Sequence, residues 1–346
     1  MDAEHRQDDP AGFELRPVAR GRWARYLPWV FGILALSAII VVVLHFGQMR
    51  RFTELAQRAQ PGWLVLAAVV QVPTYLSQGA VWWLTLRRCG HPVTLRSLSG
   101  LAIAKLFTDQ AVPTGGLSGI LLVVQALVRR GVAAPIAMAT LVVGIVSFYA
   151  AYMLVVFASL ALLWTHHDVK PALLWGVTGF VAFSLAIPTA VLWLGRLGRN
   201  GPPRWLRRIP GVSRILDVAA KAPTRQLRDP PLVAKAILLH VSILALDGLT
   251  LWCCLRAVGD GASLWVAGAA FAMASVAATI GPIPLGLGTF EAGAVGMLSL
   301  LHVEVEAALA ATLLFRGLTF WLPMLPGLWF ARREMRSHAP EAASPK

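Results

Sequence analysis

Long stretches without charge alternate with short charged segments along this chain of 346 residues. Each uncharged stretch exceeds the roughly 20 residues that a helix needs to cross the hydrocarbon core of a membrane. Two further stretches, 236–255 and 307–331, are equally apolar apart from one charged residue each, Asp247 and Arg316. Together the stretches predict six transmembrane helices. The four without any Asp, Glu, Lys or Arg are 26–49, 59–86, 131–165 and 171–195.

Two other apolar regions, 95–130 and 262–301, are interrupted near their middle by Gly and Pro. Both residue types break helices, because Pro lacks a backbone donor and Gly loses much conformational freedom on folding. The helical halves that remain are short for a full crossing. We therefore predict two re-entrant broken helical hairpins, which enter and leave the membrane on the same side. The alternative is one kinked spanning helix in each region.

The composition agrees with this pattern. Hydrophobic residues make up 57% of the chain, charged residues 14%, and the mean hydropathy is +0.66. An ordinary soluble domain has about a quarter of its residues charged. The sequence therefore predicts an all-α integral membrane protein, with about six transmembrane helices plus the two hairpins.

The distribution of Lys and Arg predicts the topology. If the hairpins do not cross, one side of the membrane receives 25 of the 31 Lys and Arg residues and the other side five. Cytoplasmic segments carry the excess of positive charge, so the richer side is cytoplasmic. We expect a multi-pass protein of the cell (inner, cytoplasmic) membrane with both termini inside. The cytoplasmic segments are 1–25, 87–130, 196–235 and 332–346.

The membrane domain, 26–331, contains a faint internal repeat. Trp83 and Arg87 recur as Trp252 and Arg256 at an offset of 169. In the breaks, Pro113 and Gly115 recur as Pro284 and Gly286 at an offset of 171. In the predicted topology the two copies, 62–165 and 232–331, are inverted relative to each other. Inverted repeats with broken helices are a recurring plan of secondary transporters.

The second break, 280–291, is the strongest candidate for a functional site. Irregular backbone at membrane depth has to be satisfied by protein or by a water-filled cavity. We expect Glu291 in the first turn of a helix, where free backbone amides favour an anion. The other substrate-binding candidates in this break are Pro284, Gly286, Gly288 and Thr289.

Arg316 and Asp247 are charged residues inside predicted spans, where an unpaired charge is costly. The planar guanidinium of Arg316 suits a phosphate group. The alternative is a structural ion pair of Arg316 with Asp247 or with Glu291. The phosphate contact and the structural ion pair both stay open at this point. Asp247 is also a candidate substrate-binding residue.

The first break supplies the remaining candidates. Lys105 and Asp109 are four residues apart and can pair on one face of a helix. The candidate residues of the break itself are Pro113, Gly115 and Gly116.

The segment 196–235 carries ten Lys and Arg residues. We expect it to dock on the anionic inner leaflet, since each basic residue near that surface adds about 1 kcal/mol. Nucleic-acid binding is not expected of a loop held at the membrane. The expected partners are membrane lipids, above all anionic phospholipid, together with a homo-oligomer or a partner enzyme.

Three segments carry a resemblance to a known family. The runs 281–292 and 308–323 resemble the signature of the lysylphosphatidylglycerol synthase transmembrane-domain family, and 109–119 resembles its first broken segment. In the multiple peptide resistance factors this unit resembles a lipid flippase and precedes a soluble aminoacyltransferase domain. Only about 15 residues follow the last predicted crossing, so we expect no such transferase domain here.

The resemblance implies a lipid or lipid-linked substrate translocase that handles an anionic or aminoacylated phospholipid or a related envelope lipid. We expect no enzymatic activity, no catalytic residues, no cofactor and no metal. Two alternatives stay open. One is a non-catalytic membrane partner in envelope-lipid synthesis, such as a hopanoid or glycolipid pathway, and the other is a membrane-embedded lipid-modifying enzyme.

Overall fold

The structure is a computed structural model that describes residues 59–111, 116–166, 226–280 and 286–336, with scattered positions between 175 and 189. Helices dominate this part of the chain, and no strand occurs in it. The predicted crossing at 26–49 lies outside the described residues, as do most of the crossing at 171–195 and most of the basic segment 196–235.

Nine α-helices make up the described part of the chain. A π-helical segment, Gly317–Trp321, joins the last two without a break in the helix axis, and a short 3-10 turn spans Gln226–Arg228. The helices are α1 Pro61–Arg88, α2 Leu95–Ala111, α3 Leu117–Arg129, α4 Ala134–His166, α5 Pro230–Ala257, α6 Leu264–Ile280, α7 Thr289–Leu300, α8 Val305–Arg316 and α9 Leu322–Arg336.

Four of these helices are long and apolar enough to cross a membrane: α1, α4, α5 and the continuous helix Val305–Glu334. A helix of 28 residues, such as α1 or α5, is about 42 Å long, which exceeds the hydrocarbon thickness. The prediction of an all-α membrane fold is therefore confirmed. Each spanning helix coincides with one of the apolar stretches of the sequence.

The sequence determines where α1 and α5 begin. Both start with Pro at the first helical position, which needs no backbone donor there. At α5 the preceding Asp229 also accepts a hydrogen bond from the Leu232 amide, at 3.3 Å from the carboxyl oxygen. This bond satisfies one of the free donors of the first turn.

Helices α1 and α5 pack side by side and run antiparallel. At one end the Gln60 amide donates to the Ala257 carbonyl oxygen at 2.9 Å. At the other end Arg88 forms an ion pair with Asp229 at 3.2 Å. The first helix of each predicted repeat thus contacts the first helix of the other repeat in opposite directions.

Each of the two broken apolar regions forms a pair of short helices, which are called its arms. The arms of the α2–α3 pair have 17 and 13 residues, and those of the α6–α7 pair have 17 and 12. Arg130 Nε donates to Ser97 Oγ at 3.1 Å, so the start of α2 lies next to the end of α3. This geometry places both ends of the first pair at one end of the bundle. Their re-entry into the membrane on one side stays a prediction.

The C-terminal helix α9 is held at the same end of the bundle. The guanidinium of Arg130 binds the carboxylate of Glu334 through both terminal nitrogens, with Nη1 at 3.0 Å from Oε2 and Nη2 at 2.5 Å from Oε1. Arg129 Nη2 lies 3.6 Å from the same carboxylate. Close contacts continue along the helices, where Gly327 faces Phe107 of α2. These contacts connect the first hairpin to the second half of the chain.

Close helix contacts recur at equivalent positions of the two halves. A Cβ atom on Gly79 of α1 would lie 2.8 Å from the backbone nitrogen of Ser99 in α2. A Cβ on Gly248 of α5 would lie 3.3 Å from Cα of Gly268 in α6. Gly248 and Gly268 follow Gly79 and Ser99 at the offset of 169 that relates the repeats. In each half the first helix thus meets the first hairpin arm at residues related by this offset, while the inverted repeat itself stays a prediction.

The repeated Arg and Trp residues also make the same contact in both halves. Arg87 stacks on Trp83 with its Cζ atom 4.9 Å from the ring centroid, and Arg256 stacks on Trp252 at 5.5 Å. Because α1 and α5 are antiparallel, the two stacks lie at opposite ends of the bundle. Trp63 adds a second ring beside Arg256, at 6.0 Å.

Candidate functional site

Arg316 is the last residue of α8, and the π-helical segment begins directly after it. Its side chain is 14% exposed, and it reaches across to the second break. Nε donates to Glu291 Oε1 at 2.7 Å, and Nη2 donates to the Gly286 carbonyl oxygen at 3.1 Å. One guanidinium therefore binds both the irregular turn and the helix that follows it.

Glu291 connects this guanidinium to the start of α7. It is the third residue of the helix, which confirms its predicted place in the first turn. Its second carboxylate oxygen, Oε2, accepts a hydrogen bond from the Gly288 amide at 2.7 Å. The carboxylate thus satisfies a free backbone donor at a helix N-terminus while it neutralises Arg316.

The turn before α7 depends on two glycines. Gly286 has φ 62° and Gly288 has φ 85°, values that glycine adopts without steric cost. At Gly286 a Cβ atom would also lie 2.7 Å from Cβ of Ala278 in α6. The Thr289 hydroxyl that follows is buried and has no hydrogen-bond partner within the described ranges. Pro284 lies outside the described residues.

Aromatic side chains surround the Arg316 guanidinium. Its Cζ atom lies 4.6 Å from the ring centroid of Phe290 and 5.4 Å from that of Phe320. Phe290 also stacks on Phe315 at 5.5 Å. Rings of this kind attract a cation and exclude water, so charge interactions at Arg316 are stronger than at an exposed site.

The first break contains a related arrangement. Lys105 Nζ lies 2.6 Å from Asp109 Oδ2, which confirms that these residues pair on one face of α2. The other oxygen of Asp109 accepts a hydrogen bond from the Gly119 amide in the first turn of α3, at 3.0 Å. Gly116 precedes α3 with φ 87°. Pro113 and Gly115 lie outside the described residues.

Asp247 lies in a separate polar cluster between α1 and α5. Gln71 Nε2 donates to Asp247 Oδ1 at 3.0 Å and to Thr250 Oγ1 at 2.8 Å. Of the two structural pairs considered for Arg316, the structure contains the one with Glu291. The substrate-binding role of Asp247, like that of the other candidates, stays a prediction.

An open apolar pocket of about 260 Å³ lies on the helix that carries Arg316. It is formed where the beginning of α1 meets α8 and the π-helical segment. Gly317, which follows Arg316 directly, forms part of its wall. The lining residues are Leu64, Leu313, Leu314, Gly317 and Leu318.

Four partners of the charged residues were not predicted from the sequence: Gln71, Phe290, Phe320 and Glu334. Gln71 lies well inside an uncharged window, and an amide at that depth is a usable signal for a buried polar contact. Phe290 and Phe320 carry no such signal, because aromatic residues are common in apolar helices. The partner of Arg130, Glu334, is 204 residues away, and no local pattern connects the two.

Within the described ranges, four helices long and apolar enough to span a membrane, two pairs of short helical arms and a partly buried ion pair at a helix break define a polytopic all-α membrane protein. The chain belongs to the family of the lysylphosphatidylglycerol synthase TM region, whose model matches residues 29–327. The resemblance carried by the two broken segments is thereby confirmed, and it places the chain among lipid-related membrane proteins. No curated protein matches the chain.

Proposed function

We propose that this protein is a flippase-like translocase that moves an anionic or aminoacylated phospholipid, or a related envelope lipid, between the leaflets of the cell membrane. The observation that carries the proposal is the ion pair of Arg316 with Glu291 at the break before α7. Charged residues inside membrane proteins mark substrate pathways when they face the protein interior. Membership in a family of lipid-related membrane domains supports a lipid as the substrate.

The Glu291 carboxylate occupies the position that a lipid phosphate would take. Both groups are anionic and accept hydrogen bonds from the guanidinium of Arg316 in the same planar geometry. When a phosphate replaces the Glu291 carboxylate at Arg316, this carboxylate keeps its hydrogen bond from the Gly288 amide. The Thr289 hydroxyl at the same turn, which has no partner among the described residues, is a further donor for the incoming headgroup.

The surroundings of Arg316 fit a lipid with a charged head and apolar tails. The guanidinium supplies the headgroup site, and the leucine-lined cavity beside Gly317 supplies an apolar surface for an acyl chain. The segment directly after Arg316, Gly317–Trp321, is π-helical. Such segments often occur at functional sites, and a change of register moves the end of α8 with Arg316.

Reconstitution in liposomes with a panel of fluorescent lipids tests the proposal. We expect the wild-type protein to move an anionic lipid between leaflets and Arg316→Gln to lose most of that rate. Arg316→Lys should retain part of it, because a point charge remains without the planar fork. Arg88→Gln is the matched control, since Arg88 also pairs with a carboxylate but lies exposed at the end of the bundle.

Two outcomes contradict the proposal. If Arg316→Gln moves every lipid at the wild-type rate, Arg316 has only a structural role. If the wild-type protein moves no lipid of the panel while chemically altered lipid accumulates, the protein is an enzyme. Thermal unfolding of each variant in detergent separates loss of transport from loss of fold.

A further inference from the structure

Asp247 is an acidic residue deep inside a spanning helix. It follows Pro230 by 17 residues and precedes Ala257 by ten, which places it about 26 Å and about 15 Å from the two ends of α5. Its side chain is partly buried against α1. An acidic group at this depth is costly when ionised, and such residues are functional by default.

The hydrogen bonds of Asp247 come from a neutral donor. Gln71 Nε2 has two hydrogens, and both have acceptors, one at Asp247 Oδ1 and one at Thr250 Oγ1. The Thr250 hydroxyl donates its own hydrogen to the Leu246 carbonyl oxygen at 2.8 Å. Neither partner therefore has a hydrogen left for the second carboxyl oxygen of Asp247.

The described charged residues near α5 are engaged elsewhere. Arg316 of the neighbouring α8 binds Glu291, and Arg256 of α5 itself stacks between two Trp rings, nine residues from Asp247. His240, two turns away on α5, bonds to Ser147 of α4. Among the described residues, no ion pair to Asp247 is formed.

The remaining titratable groups near this region are tyrosines of the neighbouring helices and the thiols of Cys253 and Cys254 on α5 itself. Tyr75 of α1 interacts electrostatically with Asp247, and α4 contributes Tyr149 and Tyr152. Helix α6, which also packs on α5, contains no titratable side chain. A neutral phenol does not balance a carboxylate charge. The group that neutralises Asp247 at least cost is thus a proton.

We propose that Asp247 is a proton-binding site in the membrane interior. The carboxylate takes up one proton on the oxygen that Gln71 does not occupy and forms an O–H bond, and it releases the same proton when it ionises. No other atom is exchanged. Gln71 serves as a positioning residue, because its two hydrogen bonds fix Asp247 relative to Thr250.

The position of this site couples the proton to the contact between the two halves of the protein. Gln71 and Asp247 belong to the first helices of the two predicted repeats, and they lie 176 residues apart in sequence. The hydrogen bond from Gln71 is stronger to a carboxylate than to a neutral carboxyl. A proton at Asp247 therefore loosens the α1–α5 contact. Its use to drive lipid movement rests on the proposed function, whereas proton binding itself does not.

Infrared spectroscopy of the protein in liposomes tests proton binding directly. We expect a carbonyl band from a protonated carboxyl that disappears at high pH, shifts in heavy water and is missing in Asp247→Asn. Asp260→Asn, in the loop that follows the same helix, is the matched control and should keep the band. Gln71→Leu should shift the band or its midpoint pH, because Asp247 loses its donor.

Two spectroscopic results overturn the proposal. One is a wild-type spectrum identical to that of Asp247→Asn from acidic to alkaline pH. The other is a carboxylate signal of Asp247 that responds to Na⁺ and not to pH, which identifies a sodium site instead. If Asp247→Asn does not fold, Asp247→Glu replaces it and must move the band rather than abolish it.

Transport under an imposed pH gradient tests the coupling. We expect the gradient to change the wild-type rate of lipid movement several-fold and to leave the rate of Asp247→Asn unchanged. An equal response of both proteins overturns the coupling. A titrating Asp247 band in a protein that moves no lipid leaves proton binding intact and contradicts only the proposed function.

Discussion

The two breaks use the same chemical parts but connect them differently. In each, a carboxylate accepts a hydrogen bond from a backbone amide at the start of a helix and pairs with a basic side chain. In the first break the base, Lys105, is on the same helix as Asp109, four residues away. In the second break the base is Arg316, which belongs to a spanning helix 25 residues beyond Glu291.

This difference gives the breaks different mechanical roles. The pair of Lys105 and Asp109 is local, so it stabilises the first hairpin without restraining a spanning helix. The pair of Arg316 and Glu291 connects the second hairpin to α8, and its release frees one element from the other. It is also the more buried pair, with side chains 14% and 19% exposed against 29% and 20%.

The largest effect is expected from Glu291→Gln, which leaves Arg316 among aromatic rings without its carboxylate. Breaking a buried pair on one side costs about 3–5 kcal/mol. Asp109→Asn should cost about 1 kcal/mol or less, because its amide oxygen still accepts from Gly119 and Lys105 is more exposed. Thermal unfolding in detergent measures both.

The double variant Glu291→Gln with Arg316→Gln sharpens this result. It should recover part of the stability that Glu291→Gln loses, since no orphaned charge remains. Equal losses for Glu291→Gln and Asp109→Asn would contradict the difference between the breaks.

A second effect concerns the attachment of the first hairpin to α9. Glu334→Gln leaves Arg129 and Arg130 without their carboxylate, and hydrogen bonds to charged groups are worth about 1.5–3 kcal/mol. Arg88→Gln, in the exposed pair with Asp229, should change stability by less than about 1 kcal/mol. Unfolding of both variants at low and at high salt provides the measurement. A salt-sensitive loss in Arg88→Gln that exceeds the loss in Glu334→Gln would reverse the ranking.

The matched glycines compare the packing of the halves. Gly79→Ala should destabilise the protein by about 1–3 kcal/mol, because the new methyl group meets the backbone of Ser99. Gly248→Ala should cost less, since its Cβ would lie 3.3 Å from Cα of Gly268 and the gap permits a small shift. Unfolding midpoints in a common detergent decide the order. A larger loss at Gly248 would place the tighter contact in the second half.

The smallest effect is expected at the stacked arginines. Arg256→Gln loses two aromatic contacts at a partly buried position, which are worth about 0.5–2 kcal/mol, whereas Arg87→Gln loses one exposed contact worth about 0.5 kcal/mol. Tryptophan fluorescence and unfolding midpoints measure the two losses. Indistinguishable values would show that Trp63 adds nothing to the stack at Arg256.

The sequence alone determined the class of the protein, the four spans that lie within the described residues and the approximate position of its breaks. Hydropathy is a local property, because every backbone group in a membrane has to be satisfied within its own helix. Windows such as 59–86 and 131–165 therefore correspond directly to α1 and α4. Gly286 and Gly288 interrupt the helix through their own backbone conformation, whatever their tertiary contacts. The second break therefore also follows from local sequence.

Only the tertiary structure decided which charged and polar residues meet. The sequence offered both Asp247 and Glu291 as partners of Arg316, and it indicated neither Gln71 as the partner of Asp247 nor Glu334 as the partner of Arg130. Gln71 and Asp247 are 176 residues apart, and Arg130 and Glu334 are 204 apart. Such contacts depend on the rotation and tilt of each helix, which are set by packing against its neighbours and leave no periodic signal in the chain.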